Sequence, residues 1–129
     1  MAYRILPVTN ILIAFSGGDV GIGEKLKNAD EVFVAVIVLG ELYLGAEKSV
    51  KRDENLRNVE KFREDKTLLP CDKDTAKHYA AIRNSLRIKG RPIPNNDIWI
   101  AALAMQHNLT LITRDAHFSE VEGLRSEKW

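Results

Sequence analysis

Short apolar runs alternate with stretches of helical spacing along this whole chain, and few architectures accommodate that alternation. Tyr3 to Leu6 is strand-like and passes through Pro7, Val8, Thr9 and Asn10 into the apolar run Ile11 to Phe15, which reads as a strand, a turn and a short helix. Ser16, Gly17 and Gly18 break the chain before a short helix over Gly21 to Asn28. Glu31 to Val36 reads as a second strand. From Ile37 to about Lys48 the spacing turns helical, with Leu39, Leu42, Tyr43 and Ala46 on one broad apolar face. Asp53 to Asp65 is a charged amphipathic helix, followed by a short strand at Thr67 to Leu69 that Pro70 stops. A helix from Lys73 to about Lys89 opens at Asp72 or Asp74 and ends near Gly90. Arg91, Pro92, Ile93 and Pro94 form a stiff link, after which Asn95 or Asn96 is expected to cap a helix over Ile98 to His107. Leu109 to Thr113 reads as a fourth strand, and the tail holds a short helix around His117 to Glu120 and a last strand at Leu124. The expected fold is α/β, with a mostly parallel central sheet flanked by helices on both faces. Ligands of such sheets bind outside the carboxyl ends of the strands.

At 129 residues, with no repeat, low-complexity tract or linker, the chain is expected to form one domain over 1–129 with a single core. The lone Cys71 excludes an internal disulfide and is expected to be a buried or half-buried inert thiol, which suits a reducing cytoplasm. The apolar stretches Val32 to Leu39 and Ile98 to Met105 are too short to span a bilayer. The N-terminus also lacks the features of a signal peptide, so no membrane association or export is expected. With 19 Lys plus Arg against 18 Asp plus Glu, the net charge of +1 supplies no global field for nucleic acid, and any such binding must be local.

Three carboxylates lie in unusual surroundings. Glu41 sits in a segment, Val34 to Leu44, with almost no polar face, where an ionised group needs a partner, a cation or a raised pKa. A structural ion pair with a Lys or Arg is the alternative. Asp97 opens the apolar segment Ile98 to Ala104, and Asp115 follows the strand Leu109 to Thr113; for each, a helix cap is the alternative reading. Taken together, they stand where all three can converge on one edge of the sheet. A group of hard oxygen ligands there needs a counter-charge and suits Mg²⁺ or Mn²⁺, the apparatus of phosphodiester cleavage.

Four segments carry a resemblance. Thr9-Asn10-Ile11-Leu12-Ile13, Val38-Leu39-Gly40-Glu41-Leu42 with Gly45, Asn96-Asp97-Ile98-Trp99-Ile100-Ala101-Ala102, and Leu111-Ile112-Thr113-Arg114-Asp115-Ala116-His117-Phe118 resemble, in order, the signature blocks of VapC-type PIN domains. The resemblance implies a PIN-like three-layer α/β fold and a Mg²⁺- or Mn²⁺-dependent endoribonuclease. It further implies a toxin neutralised by a cognate antitoxin, whose C-terminal segment lies in a groove beside the active site, and pairing as a homodimer. Glu41, Asp97 and Asp115 match three of the family's metal-site acids, Thr113 a nearby hydroxyl position and Asn10 a supporting polar position.

The sequence departs from the family at its first block, where Val8 stands in place of an aspartate, the fourth ligand. Pro7 is unusual before it, because proline lacks the N–H an inner strand uses, and Ala35 stands where a proline is common. No nearby acid replaces the missing one; Asp19 lies beyond a glycine pair. The expectation is a retained fold with weak metal binding and little nuclease activity. Two readings follow: a metal-dependent endoribonuclease toxin, and a catalytically inactive PIN-fold module that binds antitoxin, itself or RNA. Arg83, Arg87, Lys89 and Arg91, leading into the Pro-bounded loop, and Arg114 beside Asp115 are either solvated or hold RNA phosphates. His78 and His107 have no ligand spacing, whereas His117, two residues from Asp115, is within reach of a phosphate. Trp99 reads as core rather than a base-stacking platform. Tyr43, Leu44, Leu56, Val59 and Phe62 form a candidate antitoxin or dimer surface if exposed.

Overall fold

A computed structural model describes residues 2–129 of the chain. Among them run β1 (Arg4–Pro7), α1 (Thr9–Ser16), α2 (Val20–Asn28), β2 (Glu31–Ala35), α3 (Val36–Glu47), α4 (Arg52–Arg63), β3 (Thr67–Leu69), α5 (Lys73–Lys89), α6 (Asn95–Gln106), β4 (Thr110–Thr113), a 3-10 helix (Ala116–Glu120) and β5 (Ser126–Lys128). The strands form one sheet in the order β3-β2-β1-β4-β5, and every recorded pairing is parallel. The chain leaves β1 for β2 on one side and later returns to β4 on the other. The strand order therefore reverses between β1 and β4, the place where sheets of this kind form a ligand crevice at their carboxyl ends.

Pro7 is accommodated in the central strand by the alternation of strand N–H groups. Val8 N–H donates to the Ile112 carbonyl of β4 at 2.9 Å, so the nitrogen of Pro7 faces β2. The recorded pairing with β2 accordingly stops at Ile5↔Val32, whereas the pairing with β4 continues to Pro7↔Ile112. The sheet's core residues Ile5, Leu6, Val34, Leu111 and Ile112 merge with Ile11, Val38, Ile100 and Leu103 from the helices into one buried cluster.

Helix ends fall into two groups. α2 and α5 are capped by Asp19 and Asp72, the latter in a reciprocal capping box with Thr75, and α5 ends at Gly90 with φ 68°. In contrast, α1, α3 and α6 begin at Val8, Ala35 and Pro94, none of which supplies a side-chain cap. Among the described residues, the N–H groups of Thr9 and Asn10 in α1 and of Asn95 and Asn96 in α6 have no backbone acceptor and are left for solvent or ligand.

Several expectations are corrected. α6 starts at Asn95, because the Asp97 and Ile98 N–H groups already donate to the Pro94 carbonyl, so neither asparagine is the cap. The last strand is Ser126–Lys128 rather than a segment at Leu124; Gly123, at φ 80°, turns the chain first and Leu124 packs against the core. Cys71 is exposed, not buried, yet partial desolvation and the Asp72 charge raise its pKa and keep it a thiol at neutral pH. Trp99 is half-buried and stacks on Tyr79, ring centroids 4.0 Å apart, instead of entering the core. Leu44, one of the residues offered as a partner surface if exposed, is 57% exposed, and Val36 on the same helix is 39% exposed.

Candidate active site

The crevice is organised by the first turn of α1. Thr9 and Asn10, its first two residues, point about 100° apart around the helix and so reach different partners. Thr9 Oγ1 donates to Glu41 Oε1 of α3 at 2.6 Å, while Asn10 Nδ2 donates to Asp115 Oδ2, just beyond β4, at 3.0 Å. The Asp115 backbone N–H donates to Thr113 Oγ1 at 2.9 Å, and Thr113 is buried at the end of β4. Asp97, in the first turn of α6, lies 2.8 Å from His117 Nε2 through its Oδ2.

These contacts bear on two of the alternatives left by sequence, the Asp115 cap and the Glu41 ion pair. Asp115 occupies the N-cap position of the 3-10 helix, but its side chain makes no capping bond. The partner recorded for Glu41 is a threonine hydroxyl rather than a Lys or Arg. Burial pushes the Asp97 carboxyl above its ordinary range, the charges of Glu41 and Asp115 push it further, and His117 opposes them. Glu41 and Asp115 are thus both within electrostatic reach of Asp97. Val8 stands at the root of the same turn, 3% exposed, offering neither ligand nor cap.

The donor chemistry of the crevice fits a hard divalent cation. Glu41, Asp97 and Asp115 supply carboxylates, and the buried Asn10 Oδ1 has no hydrogen-bond donor, a deficit that a cation relieves. The ligand geometry falls short. Among the described residues no three His, Cys, Asp or Glu side chains stand close enough to hold one ion as placed.

The raised pKa of Asp97 has a consequence for stability. A carboxyl whose pKa is higher in the folded state contributes stability that is complete below the unfolded pKa, about 3.9, and is lost as pH rises through the folded value. At neutral pH the ionised Asp97 therefore opposes folding. Asp97→Asn is expected to raise stability to urea at pH 7, with a smaller gain at about pH 4, near that unfolded value. A variant less stable than the parent at pH 7 contradicts this.

The other sequence candidates are dispersed. Arg114 Nη2 is paired with Asp19 Oδ2 at 3.0 Å, so Asp19 caps α2 and holds Arg114 but does not replace the missing acid. Lys89 donates to the Glu120 carbonyl at 2.5 Å, Arg87 is bonded to Asn84, and Arg83 to the Tyr79 hydroxyl. Arg91 is exposed on the link before α6. His117 faces Asp97. Two roles were missed from sequence: Thr9 as the partner of Glu41 and His117 as the partner of Asp97. Their separations of 32 and 20 residues leave no local signal. A groove of about 320 Å³ runs from Glu41 between α1, α3 and α4, lined by Leu12, Ile13, Leu42, Gly45, Val59 and Phe62.

The sequence pattern of the PIN domain matches residues 5–124. The chain is similar to Ribonuclease VapC2 of Haemophilus influenzae, 36% identical over 104 residues that cover 80% of this chain and 79% of the relative. Its fold is similar to that of DNA-bound VapBC from Salmonella typhimurium, with TM-score 0.90 and 30% identity over 100% of this chain and 99% of that one. It is also similar to VapBC-5 from Mycobacterium tuberculosis, a member of the VapBC family of toxin-antitoxin systems, with TM-score 0.76 and 30% identity over 97% and 96% of the two chains.

Proposed function

The chain belongs to the PIN-domain family, and from that premise we propose that it is an endoribonuclease toxin of a toxin–antitoxin pair, impaired by Val8. The observation that carries this reading is the set of three carboxylates on separate elements, each with its own hydrogen-bond partner, at the point where the strand order reverses. Glu41, Asp97 and Asp115 would hold Mg²⁺ or Mn²⁺, which supplies an acidified water and takes up charge on the phosphate being cut. Thr9, Asn10 and Thr113 keep Glu41 and Asp115 turned toward the crevice. The uncapped first turns of α1, α3 and α6 favour an anionic backbone there. Arg91 is the basic candidate best suited to an RNA phosphate; Arg87, Lys89 and Arg114 would first have to leave their present partners.

The antitoxin is the protein partner of this reading, seated in the groove beside Glu41. A homodimer, a cytoplasmic location and a single domain over 1–129 belong to it as well. Among the described residues no helix is long and apolar enough to cross a membrane. A second reading, an inactive PIN module that binds antitoxin, itself or RNA, is favoured by one observation: the buried valine at the first acid position.

The purified chain without antitoxin, given single-stranded RNA and Mn²⁺, is expected to cut slowly, to stop when the metal is chelated, and to lose that cleavage in Glu41→Gln. Cleavage that survives both chelation and Glu41→Gln counts against a carboxylate-held ion. No cleavage at all, even at high Mn²⁺, favours the binding module.

A further inference from the structure

We propose that His117 is a positioning residue that holds the Asp97 carboxylate in the crevice, an inference that rests on the ribonuclease reading of the same site. Glu41 and Asp115 each receive a hydrogen bond from the first turn of α1. Asp97 receives none from that turn, and its recorded partner is the imidazole of His117, 2.8 Å away. The ring sits on a firm base, since the next residue, Phe118, is 1% exposed and its ring lies 4.8 Å from that of His117, centroid to centroid. The pair itself is partly buried, with His117 33% and Asp97 21% exposed at the side chain.

A free carboxylate in that place would turn outward, away from the like charges of Glu41 and Asp115 and toward water. A neighbouring N–H donor counters this by fixing one oxygen and leaving the other to face the crevice. The same arrangement orients carboxylates that ligate metals in general, and removing such a support costs roughly 10- to 100-fold in metal affinity. Because an imidazole carries its proton on either ring nitrogen, this role requires the one that places a proton on Nε2. It also implies that a glutamine, whose amide nitrogen reaches about as far as Nε2, can substitute.

Two measurements test this. In the Val8→Asp background, where the ligand set is complete, Mn²⁺ binding is followed by electron paramagnetic resonance without RNA. The expected result is a 10- to 100-fold loss of affinity in His117→Ala and recovery of most of it in His117→Gln. Affinity unchanged or increased in His117→Ala would show that the imidazole is idle or competes with the ion, and a glutamine variant as weak as alanine would make the ring merely structural; either overturns the proposal. If the background protein with His117 intact takes up no Mn²⁺, it is the metal-site reading that fails. Nitrogen-15 spectra of the His117 ring in metal-free protein then decide the inference alone. A protonated Nε2 whose signal shifts in Asp97→Asn supports it, and a proton confined to Nδ1, or a ring indifferent to Asp97→Asn, refutes it.

Discussion

Val8→Asp is expected to raise Mn²⁺-dependent RNA cleavage by at least about 10- to 100-fold and to make thermal stability depend on Mn²⁺. Position 8 is the N-cap of α1, with extended backbone (φ −83°, ψ 172°) and no side-chain cap. An aspartate there gains the hydrogen bonds and dipole of the first turn, worth about 0.5–2 kcal/mol. It also brings a fourth carboxylate to a nearly enclosed spot beside three others, which without a cation costs more than the cap returns. In chelator the variant should therefore melt below the parent. At Mn²⁺ concentrations 100 times its dissociation constant it should recover about 2.7 kcal/mol, while the parent responds weakly over the same range. A variant that melts above the parent in chelator and ignores Mn²⁺ has gained only a helix cap.

A comparably large effect is expected from Gly45→Gln on antitoxin binding. Gly45 lines the groove, its helix is regular there, and a Cβ at that position meets no atom within 4 Å. Nothing in the chain's own packing calls for glycine at that helix-interior position, which costs roughly 0.5–1 kcal/mol relative to alanine. The substitution should leave the fold as stable or more so, yet its side chain would project into the groove in which we propose that the antitoxin segment lies. A loss of about 2 kcal/mol, some 30-fold in affinity, is the scale of a disrupted interface centre. It should be read by titrating cognate antitoxin against each protein. Unchanged affinity with an intact fold places the antitoxin elsewhere.

Much of this architecture could be read from sequence, because the apolar runs of β1, β2 and β4 each have a proline or a charged residue at one end at least and the helices between them keep their spacing. Where reading failed, a local rule met a nonlocal fact. Asn95 and Asn96 look like caps, but Pro94, already in an extended conformation, receives the first helical bonds. The three exposed residues of β5 have no apolar pattern, since an edge strand of that length is placed by its neighbour Leu111–Thr113. In sequence α3 has almost no polar face, which leaves open whether its Leu44 side is covered or exposed. Periodicity cannot distinguish a helix enclosed by its own chain from one with an exposed face, as Leu44 shows. For the site, Glu41 and Asp97 stood out because their neighbours are apolar, whereas their partners Thr9 and His117 are ordinary residues in polar or mixed segments. Only the approach of α1 to α3, and of the 3-10 helix to α6, gives them meaning.

The carboxylate site we propose for this chain is of the PIN type and lacks one ligand, at position 8. A Mn²⁺ titration of the parent and of Val8→Asp, side by side and without RNA, tests it most directly. The predicted result is weak binding by the parent and binding at least about tenfold tighter by the variant, abolished in both by Asp97→Asn. Equal affinity in parent and variant, or binding that survives Asp97→Asn, would contradict it.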